Sequence, residues 1–211
     1  MIDLHMHTSF SDGNSSLEEM LVAAERKKLR YISITDHYSI GAYEKLKDSN
    51  IRKLFSGIII PGAEWGFNNG GDFSSELLAY GIDVDSIERL SWGEPDPYPC
   101  NANRDRRHLL GRGTLEEVSG RIHKVGGLVF VAHPFIVRDW FDYACKKKLI
   151  DGVEVFYADQ TREATDKLKE YCVKNGLLMS GGCDAHSIHG IGEKPVSKLD
   201  IGNWIDNVRT V

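Results

Sequence analysis

Short apolar segments alternate along this chain with longer segments whose apolar residues recur at helical spacing. The apolar segments predict strands at residues 1–7, 31–35, 57–64, 76–83, 128–132, 150–156 and 177–180. The periodic segments predict helices at 16–29, 41–47, 114–126, 136–148, 161–175 and 203–208. This alternation predicts an α/β fold with a parallel sheet and right-handed crossovers.

Seven predicted strands are enough to close the sheet into a barrel. Residues 84–113 interrupt the pattern and are the least regular part of the chain, with prolines at 95, 97 and 99. An irregular segment of this length in a compact domain is usually functional or mobile. We therefore expect the 84–113 loop to lie near the mouth of the barrel.

Composition changes this picture little. The chain has 211 residues, 41% hydrophobic and 27% charged, which is typical of one globular domain spanning residues 1–211. The net charge of −5 argues against stable nucleic-acid binding, and no apolar segment approaches the roughly 20 residues that cross a membrane. The four cysteines form no C-x-x-C pair, and no signal peptide is expected before the first motif. We therefore expect reduced thiols and a cytoplasmic location.

The candidate chemistry begins with two histidines near the amino terminus. His5 and His7 lie two residues apart on the first predicted strand, so their imidazoles point to the same side. Asp12 follows in a Ser-Asp-Gly turn, which can fold its carboxylate back over the strand end. Two neutral imidazoles and a carboxylate are typical ligands of a divalent cation.

Metal-binding side chains recur where later predicted strands end. They are His37, Glu64, His133, Asp184 and His186. Because the carboxyl ends of barrel strands converge on one rim, we expect these side chains and the first histidine pair to form a shared metal site.

The ordered motifs resemble those of the PHP (polymerase and histidinol phosphatase) family. They are residues 3–8 (DLHMHT) with 11–13 (SDG), 35–37 (TDH), 61–64 (PGAE), 132–134 (AHP) and 183–186 (CDAH). The resemblance covers nearly the whole chain and implies a distorted, seven-stranded, TIM-barrel-like β/α barrel. It also implies two to three divalent ions (zinc, manganese or iron) and hydrolysis of phosphate esters.

The resemblance further implies which residues hold each ion. The sets are His5, His7, Glu64 and Asp184 for the first ion, Glu64 and His133 for the second, and Asp12, His37 and His186 for the third. Glu64, Asp12 and His186 are accordingly the candidate catalytic residues, in a reaction where a metal-activated water attacks phosphorus.

One position departs from the family pattern. Many members carry a histidine ligand of the second ion just before a strand similar to residues 77–80, and Glu76 stands there in this chain. Glu76 is a candidate replacement ligand, and an ordinary glutamate at a strand edge is the alternative. A carboxylate in place of an imidazole would favour harder ions such as manganese or iron over zinc.

Substrate contacts are sought among residues outside these motifs. Arg104 and Arg107 could clamp a phosphate bidentately, with a solvated basic loop as the alternative. His189 is a candidate proton donor or substrate contact, whereas Glu154, inside a predicted strand, is expected to join a buried polar network. The 84–113 loop is shorter than the nucleotide-binding insertion of some relatives. This length favours a small-molecule phosphate ester, and a nucleotide substrate stays open.

Two other functions are compatible with these motifs. Amidohydrolase-like enzymes that cleave C–N bonds also begin with His-x-His on a barrel strand, but they commonly use a lysine late in a middle strand, and residues 128–132 contain none. The second alternative is a non-catalytic metal-binding or regulatory domain. Such domains lose ligands at several positions, whereas here only the Glu76 position departs. The motifs therefore favour a metal-dependent phosphoesterase.

Overall fold

A computed structural model describes residues 1–68, 75–87 and 113–211 of the chain. Seven strands form one sheet in chain order: β1 (Ile2–Asp3), β2 (Tyr31–Ile34), β3 (Ile58–Gly66), β4 (Glu76–Tyr80), β5 (Leu128–Val131), β6 (Gly152–Tyr157) and β7 (Leu178–Gly182). The main-chain N–H of Leu4 donates to Gly181 at 3.1 Å, and Met6 forms a parallel bridge with Ala185. These contacts bring the two edges together, so the sheet is nearly closed into the predicted seven-stranded α/β barrel.

Helices connect most of the strands. Their bounds are α1 (Leu17–Arg26), α2 (Gly41–Leu46), α3 (Ser49–Arg52), α4 (Val84–Ile87), α5 (Leu115–Lys124), α6 (Trp140–Lys146), α7 (Arg162–Asn175) and α8 (Lys198–Ile201). The longer helices follow the predicted pattern, and the capping boxes of Ser16 with Glu19 and of Thr114 with Glu117 begin α1 and α5. The short helices α3, α4 and α8 were not predicted. The predicted helix at 203–208 is a 3-10 turn at Asn203–Asp206.

The direction of β4 contradicts the predicted all-parallel sheet. β4 runs antiparallel to both β3 and β5, while the other neighbouring strands are parallel. A parallel neighbour needs a crossover of about a dozen residues or more, and the connection from β3 to β4 is shorter than that. The reversal matters for the site because it brings the first residue of β4, Glu76, beside the carboxyl ends of β3 and β5.

The sheet separates two apolar clusters. The larger one lies between the strands and α1, α5 and α7. The smaller one lies on the opposite, inner face, where Leu78 and Phe130 pack with Trp204 and Ile205 from the end of the chain. Side chains on a strand alternate between faces, so Glu76, two residues before Leu78, points to this inner face as well. Apolar residues thus close one end of the barrel, and the titratable side chains occupy the other.

Some predictions fall on residues 88–112, outside the described parts of the chain. They include Arg104, Arg107 and most of the 84–113 loop, of which α4 covers the first four residues. Within the described ranges, no helix is both long and apolar enough to cross a membrane. The described cysteines, Cys145, Cys172 and Cys183, are free thiols.

Candidate metal centre

Titratable side chains form a cluster at the open end of the barrel. At the buried end of this cluster, four side chains from three separate chain segments meet. Nε2 of His5 lies 3.2 Å from Nε2 of His7 and 3.1 Å from Oε2 of Glu64. Nε2 of His7 lies 3.2 Å from the same Glu64 oxygen and 3.0 Å from Oδ1 of Asp184. A tetrahedral ion with bonds of about 2.0–2.1 Å keeps its ligand atoms about 3.3 Å apart. The first donor group, His5, His7, Glu64 and Asp184, therefore has the spacing of a cation cage.

A second donor group shares Glu64 with the first. The other carboxylate oxygen of Glu64, Oε1, lies 3.0 Å from Nε2 of His133, and Oε2 of Glu76 lies 3.3 Å from the same nitrogen. Glu64, Glu76 and His133 thus form the second donor group. Glu64 is 1% exposed, and its two oxygens face different groups. This is the arrangement expected of a carboxylate that bridges two cations.

A third donor group lies nearest the solvent. Nε2 of His186 is 3.1 Å from Oδ2 of Asp12, and Nε2 of His37 is 3.9 Å from the same oxygen. The ring of His7 stacks on those of His37 and His186, with centroids 4.6 and 4.4 Å apart. Asp12 and His186 are 40% and 38% exposed in their side chains, whereas His7 is fully buried. The cluster is therefore open to solvent on this side.

The backbone is held in unusual conformations at the cluster. His133 has a φ of +28° and Asp184 a φ of +51°, both in the left-handed region that residues other than glycine seldom occupy. Such conformations cost about 1–3 kcal/mol each and persist where the surrounding structure enforces them, often at functional sites. Here they turn the side chains at the ends of β5 and β7 into the cluster.

Two buried carboxylates secure the segments that carry the donors. Asp36 accepts hydrogen bonds from the main-chain N–H and hydroxyl of Thr8, at 2.6 and 2.7 Å, and from the Ser11 hydroxyl at 2.6 Å. Asp3 accepts the main-chain N–H groups of Cys183 and Gly192 at 3.0 and 2.8 Å. Asp36 thereby fixes the turn that leads to Asp12, and Asp3 fixes both ends of the segment containing Asp184 and His186.

Glu154 forms the polar network expected from its position inside a strand. Its carboxylate lies 3.0 Å from Nδ1 of His5 and accepts the main-chain N–H of His133 at 2.8 Å. Both partners belong to residues of the donor groups. The contact of Glu154 with His5 is buried, and its contact with His133 is partly buried.

The cluster strongly favours ionised carboxylates. Burial opposes ionisation of Glu64, but the imidazoles of His5 and His37 outweigh it and hold the pKa of this carboxyl well below its usual value. Burial is likewise outweighed at Asp12, where the hydrogen bond from His186 helps to lower the pKa to about 2. Burial disfavours protonation of His7, yet hydrogen bonds to Asp184 and Glu64 raise its pKa to about 9. The anionic oxygens therefore stabilise positive charge, for which protons and metal ions compete.

The buried nitrogen atoms provide a further test of whether these residues suit metal ions. Nδ1 of His7 is buried without a hydrogen-bond partner and lies 3.7 Å from Oδ1 of Asp12, and Nε2 of His37 lies 3.9 Å from Oδ2 of Asp12. Buried polar atoms are normally hydrogen-bonded, and these separations are too long for that but suit two ligands of one ion. Imidazole and carboxylate donors with this spacing fit divalent transition-metal ions.

The cluster contains every metal ligand predicted from the sequence, Glu76 included. His189 is exposed and belongs to none of the three donor groups found among the described residues. Sequence reasoning missed Tyr157, whose hydroxyl donates to Oδ2 of Asp184 at 3.4 Å, and the supporting role of Asp3. Of these two residues, only Asp3 could have been noticed in the sequence, because it is a charged residue between apolar neighbours in a strand.

Comparison with solved structures shows the same fold in other proteins. A protein from Bifidobacterium adolescentis, provisionally named a metal-dependent phosphoesterase, matches with a TM-score of 0.70 and 18% identity over 97% of this chain and 98% of its own. An amidohydrolase from Chromobacterium violaceum, solved with bound sulfate and no metal, matches with a TM-score of 0.72 and 18% identity over 97% of this chain and 95% of its own. A two-domain protein from Bacteroides vulgatus, described as containing a predicted PHP-like metal-dependent phosphoesterase, matches with a TM-score of 0.58 and 17% identity over 89% of this chain and 52% of that one. At these identities the likeness concerns the fold alone.

Sequence comparison identifies the family directly. No protein of curated function matches the chain significantly. The sequence model of the PHP domain matches residues 3–186, which is most of the chain and includes every donor named above. This chain therefore belongs to the PHP domain family.

Proposed function

We propose that this protein is a metal-dependent phosphoesterase that hydrolyses a small-molecule phosphate ester or a nucleotide. The observation that carries the proposal is the sharing of donors between groups. Glu64 faces the first and second groups, and His7 belongs to the first and third, so the three groups form one continuous cluster. Adjacent cations are the arrangement that enzymes use to bind a phosphate and activate a water molecule.

The side chains have separable roles in this proposal. The first, second and third donor groups would hold up to three zinc, manganese or iron ions, which supply positive charge to the phosphate and lower the pKa of water. Glu64 keeps two ions adjacent. Asp12 and His186, whose Oδ2 and Nε2 lie 3.1 Å apart at the exposed side, are placed to hold the third ion where it can orient the substrate. Nδ1 of His186 lies 2.9 Å from the main-chain oxygen of Asp184, which fixes the ring with Nε2 towards Asp12.

The remaining parts of the proposal concern partners and location. The phosphate ester is expected to be small, the negative net charge disfavours stable nucleic-acid binding, and a cytoplasmic location stays a prediction. Arg104, Arg107 and His189 remain candidate substrate contacts. His189 would need a substrate that extends beyond the third donor group, since it lies outside that group.

Two measurements on the purified protein test the proposal. Metal content by mass spectrometry, without chelator, is expected to give two to three ions per chain. Hydrolysis of p-nitrophenyl phosphate and of bis-p-nitrophenyl phosphate with added manganese is expected to show turnover, and the preferred ester separates a phosphatase from a diesterase. Bound metal without turnover of either ester or of a phosphorylated metabolite panel would contradict it.

The named amidohydrolase among the similar structures makes C–N hydrolysis the second candidate. An amide and lactam panel assayed beside the phosphate esters distinguishes the two reactions. Turnover of amides alone would replace the phosphoesterase proposal, and bound metal with no hydrolysis would favour a binding or regulatory domain.

A further inference from the structure

Glu154 contacts two donors that belong to different groups. Both of its oxygens lie within hydrogen-bond distance of Nδ1 of His5, a donor of the first group, Oε1 at 3.0 Å and Oε2 at 3.1 Å. Its Oε2 accepts the main-chain N–H of His133, a donor of the second group, at 2.8 Å. Glu154 itself is fully buried and lies in none of the donor groups, so it supports the cluster from behind.

Glu64 connects the same two histidines from the front. Its Oε2 lies 3.1 Å from Nε2 of His5, and its Oε1 lies 3.0 Å from Nε2 of His133. The two imidazole rings between these carboxylates are stacked, with centroids 5.6 Å apart and an interplanar angle of 19°. The four residues Glu64, His5, Glu154 and His133 thus form a closed ring of hydrogen-bond-length contacts.

The chemistry of Glu154 dictates the state of His5. A carboxylate only accepts hydrogen bonds, so Nδ1 of His5 must carry the proton that faces Glu154. In the neutral ring this leaves the lone pair on Nε2, the atom that faces His7, Glu64 and Asp184. At His133, the same carboxylate holds the N–H of a residue whose φ is +28°, and so helps to maintain a strained main chain.

We propose that Glu154 is a positioning residue that prepares the first and second metal groups together, by fixing the tautomer of His5 and the main-chain conformation of His133. The inference rests on the proposed metal centre. The third group consists of His7, Asp12, His37 and His186. Among the described residues, none of these four contacts Glu154, so the affinity of the third group for metal should not depend on Glu154.

The substitution Glu154→Gln tests this role because the amide has only one acceptor atom. If its oxygen keeps the His133 N–H, its NH2 group faces His5 and demands the opposite tautomer. If its oxygen faces His5, the NH2 group opposes the His133 N–H. Either orientation places the NH2 group against an N–H that the Glu154 carboxylate accepts, at His5 or at His133, while the side-chain volume stays nearly the same.

Asp151→Asn is the matched control. Oδ2 of Asp151 lies 2.8 Å from Nε2 of His123 and accepts the main-chain N–H of Val129 at 2.7 Å. It therefore makes the same two kinds of contact, with a histidine nitrogen and with a main-chain N–H of the β5 segment, but at the opposite end of β5 and β6 and away from the donor groups.

Titration calorimetry with zinc measures the affinity on which this expectation depends. Glu154→Gln should weaken zinc binding at two sites by about 10- to 100-fold, the usual effect of losing a carboxylate behind a histidine ligand, whereas Asp151→Asn should bind as the wild type does. Equal zinc affinities in Glu154→Gln and the wild type would overturn this inference alone. Failure of the wild type to bind zinc, manganese or iron would overturn both it and the proposed metal centre.

Nuclear magnetic resonance of the zinc-loaded wild type provides a measurement that needs no variant. The His5 ring should carry its proton on Nδ1, in a hydrogen bond to Glu154. A proton on Nε2 of His5 would overturn the inference even if Glu154→Gln failed to fold.

Discussion

Nε2 of His7 lies 3.0 Å from Oδ1 of Asp184, although the two residues come from opposite ends of the chain. The contact exists because β1 and β7 are neighbours at the closure of the barrel, where the His7 N–H also donates to Ala185 at 2.9 Å. The first donor group therefore forms only in the closed barrel. Binding a cation there should stabilise the folded state, since an unfolded chain does not assemble the group.

Removing metal should accordingly lower the melting temperature. A ligand present at 100 times its Kd stabilises the folded state by about 2.7 kcal/mol, so dialysis against a chelator should lower Tm by several degrees. Thermal unfolding before chelation, after it and after restoration of manganese measures the effect. An unchanged Tm throughout would contradict cation binding at the barrel closure.

Glu64→Gln should disrupt the first and second donor groups at once. The amide replaces an anionic oxygen with an NH2 group that opposes a cation, and Glu64 faces both groups. We expect bound metal to fall and phosphoesterase activity to drop by more than about 100-fold, a larger effect than loss of a residue behind a ligand. Glu163→Gln, on the exposed face of α7, is the control and should leave both quantities unchanged. Full metal content with near-normal turnover would contradict the assignment of Glu64.

Glu76→His should change which ion the second group prefers. The wild-type group offers two carboxylates and one imidazole, which suits manganese or iron, and an added imidazole shifts preference towards zinc. Competition between manganese and zinc, followed by metal content, measures the preference, with Glu76→Gln as a variant that lacks the charge. If all three proteins showed the same preference, Glu76 would be an ordinary strand-edge residue.

Asp36→Ala should displace the turn that carries Asp12. It leaves the N–H of Thr8, previously bonded at 2.6 Å, buried and without its acceptor, which costs about 1–3 kcal/mol of stability. We expect urea unfolding to show this loss and calorimetry to show weaker metal binding at the third group. Asp36→Asn should retain most of both, because its oxygen still accepts from Thr8 and its NH2 group can donate to the Thr8 hydroxyl. Equal losses in the two variants would show that charge, rather than the hydrogen bonds, is what matters at Asp36.

Two glycine substitutions should change stability in opposite directions. A Cβ on Gly182 would stand 2.5 Å from the main-chain nitrogen of His5, so Gly182→Ala must push apart the closing strands and should cost about 1–3 kcal/mol or more. A Cβ on Gly120, inside α5, would meet nothing within 4 Å. Gly120→Ala should therefore stabilise the protein by about 1 kcal/mol through helix propensity. Urea unfolding of both variants checks the pair, and a stable Gly182→Ala protein with normal metal binding would contradict the tight closure.

Local patterns account for much of what could be predicted from the sequence. The capping boxes of α1 and α5 and the spacing of His5 and His7 depend on neighbours in the chain, so they are visible in the sequence. The antiparallel direction of β4 was missed because a strand's apolar pattern is the same in either direction. That error concealed the reason why Glu76, at the start of its strand, reaches the same rim as residues at the ends of others.

The amino-acid sequence by itself determined the kinds of donor atoms and the strands that carry them, because short-range periodicity sets which side chains share a face. Only the tertiary structure decided how the donors divide into groups and what stands behind them. The contact of Glu154 with both His5 and His133, and of Asp3 with the segment after β7, joins residues far apart in the chain. Closure of the barrel creates the contacts of Glu154 with His5 and of Asp3 with Cys183, and no local pattern encodes the distance between segments that meet only when the sheet closes.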